Sequence, residues 1–180
     1  MQYFKKEFWR ALSDKDANAA RSSIRTWDRN LRSYRTQLEA LETYLSKSAF
    51  RFFARVSLHD GRLLEWTIGE AINLEIANAA QFKRRDKPPT ARIRVATYRR
   101  DVIYELHYSG VREAEFAFPS SKPLFWAPGE GLDDWGYDEL TAIDSQYLKH
   151  EALFASGATM SIVFETFKYR RHRAEAATRK

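Results

Sequence analysis

The sequence predicts an α+β fold in which N-terminal helices, one of them long and amphipathic, lead into a mostly antiparallel sheet of about seven strands. Two changes along the chain support this prediction. Up to about residue 46, apolar residues recur every three or four positions, which is typical of a helix face. Beyond Gly61 they alternate with polar residues, which is typical of a strand. The strand–helix–strand alternation of a parallel sheet is absent, so a nucleotide-binding α/β fold is not expected.

The first third of the chain is expected to be helical. A short helix is predicted over residues 3–12, a second over residues 17–46, and a third stretch over residues 50–56. The second helix has an apolar seam with members alternately three and four residues apart, and no Gly or Pro interrupts it. The seam consists of Ile24, Trp27, Leu31, Tyr34, Leu38, Leu41 and Leu45. We expect it to pack on the sheet or on the first helix, and a coiled-coil homodimer is the alternative.

The remaining chain is expected to form short strands joined by turns. Strands are predicted at residues 64–68, 72–76, 93–95, 102–108, 111–118, 135–143, 147–154 and 160–167. Ser156 and Gly157 are expected to form a two-residue hairpin loop that pairs Leu153 with Met160. The same register places His150 opposite Val163. The basic residues from 168 to 180 are expected to fray.

These elements predict one folding unit with a helical arm at 1–57, an antiparallel β domain at 58–170 and a flexible basic tail at 171–180. The net charge is +6, and two basic ends flank an acidic middle, which permits docking on an acidic partner. The absence of Cys excludes disulfides, Cys-ligated metals and cysteine nucleophiles. Neither a membrane span nor a signal peptide is recognised, so we expect a cytoplasmic protein without a membrane partner.

Five short segments, taken in order, resemble an uncharacterised bacterial protein family. They are residues 3–7 (YFKKE), 58–60 (LHD), 135–139 (WGYDE), 150–157 (HEALFASG) and 162–164 (IVF). The chain departs from this pattern at Gly61, where the family has Ala, and in its basic tail. The resemblance implies an N-terminal helical arm, a C-terminal hairpin and a bacterial cytoplasmic setting. It implies no mechanism, because the family carries no assigned activity.

An acidic and aromatic stretch is the first candidate for a functional surface. Its members are Trp126, Asp133, Asp134, Trp135, Tyr137, Asp138 and Glu139. Aromatic rings beside carboxylates in an irregular segment are typical of protein-binding sites. The sequence has neither a nucleophile elbow nor a phosphate-binding loop. We therefore expect a non-enzymatic protein-interaction module, an adaptor or an antidote-like binder, without a cofactor.

Two alternatives stay open from the sequence. The long helix carries an arginine face consisting of Arg21, Arg25, Arg29, Arg32 and Arg35, which is a second candidate surface and permits weak nucleic-acid binding. The other alternative is a metal-dependent hydrolase whose ligands are His59, Asp60, Asp138 and His150. That hypothesis requires the four side chains to converge within about 5 Å around one ion.

Overall fold

The computed structural model describes residues 1–11, 17–69, 88–118 and 134–173. Its helices are α1 (Lys6–Ala11), α2 (Ala17–Ala40) and α3 (Lys47–Arg55), with a 3₁₀ turn at Glu42–Tyr44 between α2 and α3. None of the helices in these ranges is both long enough and apolar enough to span a membrane.

The long helix ends six residues earlier than the sequence pattern indicates, so the prediction of a helix to residue 46 is wrong at its C-terminal end. Leu45 and Ser46 have extended backbone conformations instead. The Ser46 hydroxyl accepts a hydrogen bond from the Ala49 amide at 3.2 Å and so caps the N-terminus of α3. The chain turns here because α3 must bring Phe52 and Phe53 into the core, where both are buried.

Eight strands in the described ranges form one antiparallel sheet, which confirms the predicted α+β class. They are β1 (Gly61–Gly69), β2 (Thr90–Ala96), β3 (Val102–Ser109), β4 (Glu113–Ala117), β5 (Asp134–Ala142), β6 (Leu148–Phe154), β7 (Thr159–Phe164) and β8 (Thr166–Arg173). Their spatial order is β4-β7-β6-β5-β1-β2-β3-β8. The predicted strand at residues 72–76 lies outside the described part of the chain.

The sheet is nearly divided in its middle. Among the residues that the structure describes, strands β5 and β1 share only the pairs Gly61–Trp135 and Arg62–Asp134. We call the strands β4-β7-β6-β5 the β6 half and the strands β1-β2-β3-β8 the β3 half. The two halves face each other, since the rings of Tyr108 in β3 and Phe164 in β7 lie 5.0 Å apart. Contacts between side chains of the two halves must therefore supply much of what holds them together.

Helices α3 and α2 pack against strands of the sheet. In α3, Phe53 packs against Phe167 of β8 at a ring distance of 4.7 Å and against His150 of β6 at 5.2 Å. Helix α2 lies beside β5, where the Tyr34 hydroxyl accepts a hydrogen bond from the Leu140 amide at 3.1 Å. This amide lies beyond the short stretch of β5 that pairs with β1. The Tyr34 side chain therefore supplies a hydrogen-bond acceptor for the Leu140 amide of β5.

The apolar seam of α2 is used within the chain, as its packing interpretation requires. Its buried members are Trp27, Tyr34, Leu38 and Leu41, and its partly buried members are Leu31 and Leu45. Ile24, at the N-terminal end of the seam, is 46% exposed. A second copy of the chain could not use the buried part of the seam without displacing the core.

Three sequence predictions for the C-terminal strands are wrong. The β6–β7 register is displaced by one residue, so that His150 lies opposite Ile162 instead of Val163. The two-residue loop is not formed, because the Phe154 amide bonds the Ala158 carbonyl, which leaves the three residues 155–157 between this pair. Residues 168–173, predicted to fray, belong to β8 and pair with β3.

Candidate functional site

A chain of four hydrogen-bonded side chains crosses the interior between the two halves of the sheet, and we call it the interior polar chain. The Tyr108 hydroxyl of β3 lies 2.7 Å from His150 Nδ1 of β6. His150 Nε2 lies 3.3 Å from Asp138 Oδ2, and Trp135 Nε1 donates to Asp138 Oδ1 at 3.0 Å. Tyr108, His150 and Trp135 each have no exposed surface. The interior polar chain therefore links the β3 half to the β6 half, and of its four side chains only Asp138, which is 21% exposed, reaches solvent.

The proton positions in this chain follow from which groups can donate. The Asp138 carboxylate only accepts, so His150 Nε2 carries a proton. If the imidazole ring is neutral, its Nδ1 is unprotonated and accepts the proton of the Tyr108 hydroxyl. Burial raises the pKa of Tyr108 well above its usual 10.0, and the negative charge of Asp138 raises it further. Tyr108 therefore keeps its hydroxyl proton at neutral pH.

A bulge in β5 brings Trp135 and Asp138 to the same face. These residues are three positions apart, and a regular strand would point them to opposite faces. The register of β5 on β6 shifts between Trp135 and Tyr137. This bulge turns the Asp138 side chain to the face that carries Trp135. The bulge contains Gly136, where an added Cβ would lie 2.4 Å from the Trp9 ring and 2.7 Å from the Leu153 carbonyl oxygen. A side chain at this position would displace Trp9, the bulge, or both.

The interior polar chain has the Asp–His order of a general-base pair, but its surroundings do not suit catalysis. Both imidazole nitrogens already have partners, and the hydroxyl in the nucleophile's place belongs to a tyrosine with zero exposure. A substrate would need a surface next to that hydroxyl. The geometry instead suits a cross-link that fixes the separation and register of the two halves.

The structure contradicts the metal-site hypothesis. His59 Nδ1 contacts the Gly136 carbonyl at 2.6 Å, and its ring packs on Tyr137 at 4.7 Å. His150 is the register partner of Leu140 and shares its face of the sheet. Tyr137, on which His59 packs, lies three positions before Leu140 and therefore points to the other face. The two histidines consequently lie on opposite faces of β5.

The four proposed ligands consequently form two separate pairs. The nearer atoms of His59 and Asp60 lie 3.6 Å apart, and those of His150 and Asp138 lie 3.3 Å apart. In the described ranges, no group of three or more His, Asp or Glu side chains could hold a metal ion.

Most of the predicted protein-binding residues face inward. Trp135 and Glu139 have zero exposure, which removes their side chains from any surface of the folded chain. Tyr137 is half-buried, and its ring contacts those of Phe4, Trp9 and Trp27 at 5.6, 5.3 and 4.4 Å. Asp138 belongs to the interior polar chain, and Asp134 is half-buried beside the β5–β1 junction. Trp126 and Asp133 lie outside the described residues.

Glu139 anchors the N-terminal segment to the face of β5 opposite the interior polar chain. Its carboxylate accepts hydrogen bonds from the backbone amides of Gln2, Tyr3 and Phe4, the last two at 2.9 and 3.2 Å. Asn30 of α2 donates to the Tyr3 carbonyl at 3.0 Å, so the same segment is fixed from both sides. The buried negative charge is thus satisfied by backbone donors.

Glu151 is the cross-strand neighbour of Glu139, and it has its own partners. Lys149 Nζ and the Met1 amino group each lie 2.9 Å from Glu151 Oε1. Burial raises the pKa of this carboxyl, but hydrogen bonds from Lys149 and Met1, together with their positive charges, outweigh burial and lower the pKa. Separate donor sets allow two adjacent carboxylates to share one face of the sheet.

The arginine face of α2 is on the outside. Arg25, Arg29, Arg32 and Arg35 are exposed, and none of the four forms an ion pair with a residue that the structure describes. Arg21 is also exposed and already has an interaction partner. The second candidate surface is therefore presented to solvent, in contrast to the first.

Sequence reasoning missed the two tyrosines that complete these contacts. The sequence correctly placed Tyr108 in a strand and Tyr34 in the apolar seam. Neither pattern indicated a partner, because Tyr108 reaches His150 across 42 residues and Tyr34 reaches Leu140 across 106.

Replacing Tyr108 with Phe should destabilise the protein, because His150 Nδ1 would lose its donor in the interior. We expect a loss of about 1–3 kcal/mol in the free energy of unfolding, measured by urea denaturation. The matched control is Tyr98→Phe, because the Tyr98 ring is 72% exposed. Its change should stay within about 0.5 kcal/mol. Equal stabilities of the two variants would contradict the cross-link.

Glu139→Gln should loosen the N-terminal segment, because the new amide group points a donor at backbone donors. We expect a loss of about 2 kcal/mol in unfolding free energy and faster hydrogen exchange at the amides of Gln2, Tyr3 and Phe4. The control is Glu115→Gln, an exposed carboxylate in the same cross-strand row. Unchanged exchange at the three amides would refute the anchoring role.

Glu151→Gln should remove a pH-dependent part of the stability. The pKa of this carboxyl is lowered from 4.5 in the folded protein, so its contribution is complete above about pH 4.5 and is lost as the pH falls through the lowered value. The variant should be less stable than the parent at neutral pH, and the difference should shrink towards about pH 3. The control is Glu113→Gln, whose side chain is 67% exposed. A difference that stays constant across this range is the opposing result.

Comparison with protein-family models, with curated proteins and with solved structures gives no match to this chain. The resemblance drawn from short motifs therefore stays a prediction. A proposal for function has to be built from the geometry of the interior polar chain and of the exposed basic surfaces.

Proposed function

We propose that this chain is a non-enzymatic binding module, of the adaptor or antidote-like kind, that docks on an acidic protein surface in the bacterial cytoplasm. The observation that carries the proposal is the arginine face of α2, which is exposed and whose members Arg25, Arg29, Arg32 and Arg35 have no ion-pair partner among the described residues. A surface of this kind attracts anionic partners and speeds their association.

The opposite side of α2 holds these arginines in place. Trp27, Tyr34 and Leu38 are buried in the core, so the helix cannot rotate about its axis without breaking that packing. The positions 25, 29, 32 and 35 are three or four residues apart and form one stripe about 15 Å long. A partner would therefore meet a preorganised row of guanidinium groups, which lowers the entropy lost on binding.

Two neighbours of the stripe favour an acidic protein over a nucleic acid. Asp28 is exposed among the arginines and would repel a phosphate backbone, whereas a protein partner can place a donor beside it. Ile24 borders the stripe and is 46% exposed. Protein interfaces combine arginines with apolar contacts, and guanidinium groups bind carboxylates through paired hydrogen bonds.

The interior of the protein supports the non-enzymatic part of the proposal. His150 and Asp138, the pair with the most catalytic character, already bond Tyr108 and Trp135 within the interior polar chain. The histidines of the metal hypothesis lie on opposite faces of β5. The polar groups of the interior polar chain thus bond one another inside the fold. The exposed charged side chains are the better candidates for function.

Charge reversal of the stripe tests this proposal. In Arg29→Glu/Arg32→Glu, an acidic protein that cross-links to the parent chain in nuclease-treated bacterial extract should be recovered at least tenfold less. Such a loss is what about 1.4 kcal/mol or more of lost attraction would produce. Quantitative mass spectrometry of the cross-linked species measures it.

The matched control is Arg99→Glu/Arg100→Glu, which makes the same change of charge at an exposed turn. It should retain the capture. Equal recovery with both variants, or equal loss with both, would overturn the proposed surface. Capture by the parent chain that is seen in untreated extract but not in nuclease-treated extract would assign the surface to nucleic acid instead.

A further inference from the structure

A second basic surface lies on α3 and β8, which is the end of the sheet opposite β4. Its members are Lys47, Arg51 and Arg55 of α3 and Arg171 and Arg173 of β8, and all are exposed. Lys168 and Arg170 lie on the opposite face of β8. Neither element contains Asp or Glu. None of the five side chains pairs with a carboxylate in the part of the chain that the structure describes.

The helical part of this surface is one continuous stripe. Lys47, Arg51 and Arg55 occupy every fourth position, so their side chains follow one another along one side of α3. Phe52 and Phe53 hold the other side of the helix in the core, where they are 1% and 8% exposed. The stripe therefore has a fixed orientation relative to the sheet.

The strand part joins the helical part around half-buried aromatic rings. The Phe52 ring contacts those of Tyr169 and Tyr104 at 4.8 and 5.7 Å. Arg55 lies one helical turn beyond Phe52, and Arg171 is the register partner of Tyr104. Arginines from two elements consequently border the same pair of tyrosines, both of which keep part of their surface exposed.

We propose that α3 and β8 form a binding site for single-stranded nucleic acid. Such sites combine positive charge that follows the phosphate backbone with aromatic rings on which bases stack. The α3–β8 surface has both, because the basic stripe of α3 and Arg171 of β8 border Tyr104 and Tyr169. It differs from the arginine face of α2, where Asp28 interrupts the charge and Ile24 adds an apolar contact.

The test is the binding of a fluorescein-labelled oligothymidylate of about 20 nucleotides, followed by fluorescence anisotropy over a series of salt concentrations. The full chain should bind at low salt, and the affinity should fall steeply as salt rises. In Arg55→Gln/Arg171→Gln, binding at low salt should be at least tenfold weaker. The slope of log affinity against log salt should be shallower by about 1.4, because each lost phosphate contact contributes about 0.7.

The control is Arg29→Gln/Arg32→Gln, which removes the same charge from α2, and its affinity should stay within about twofold of the parent's. Both variants change exposed side chains, and circular dichroism verifies that each is folded. Absence of binding at low salt, or equal loss in the two variants, would overturn the proposal. Tighter binding to a duplex of equal length would also overturn it. Self-association of Arg55→Gln/Arg171→Gln with unchanged DNA affinity would show that these charges only protect the free edge of β8.

Discussion

The hydrogen bond between Tyr108 and His150 joins two halves of a sheet that, within the described ranges, share only two residue pairs along β5 and β1. Backbone pairing therefore does little to fix how the halves face each other. A polar contact in a low-dielectric interior is directional, and leaving either partner unpaired is costly, so it selects one arrangement among the many that apolar packing alone would tolerate. The carboxylate of Asp138 and the indole of Trp135 orient the imidazole for this contact.

Strand β5 is the element on which both sides of the molecule depend. On one face it carries Trp135 and Asp138 of the interior polar chain, and on the other it carries Tyr137 and Glu139, which bind the N-terminal segment. The carboxylates and aromatic rings of β5 therefore bond and pack within the protein. The exposed arginines of α2, and the basic residues of α3 and β8, are left as the charged exterior, and both binding proposals start from that separation.

The sequence predicts the elements of this fold better than the contacts between them. The seam of α2 and the alternation in β3 depend on local spacing, and both are recovered. The inward position of the acidic stretch depends on the bulge at Gly136, which moves Asp138 to the face of Trp135 and cannot be derived from alternation. Likewise, a loop one residue longer than expected shifts β7 by one position and decides which residue lies opposite His150. The positions of bulges and the register of strands depend on tertiary packing, such as that of Trp9 against Gly136. They cannot be predicted from the local spacing of apolar residues.

Nuclear magnetic resonance of the His150 ring tests the central claim most directly. We expect a neutral imidazole with its proton on Nε2, an unprotonated Nδ1 and a slowly exchanging Tyr108 hydroxyl proton that correlates with Nδ1. A ring protonated at Nδ1 alone, or a Tyr108 hydroxyl proton that exchanges as fast as that of an exposed tyrosine, would contradict the cross-link between the two halves.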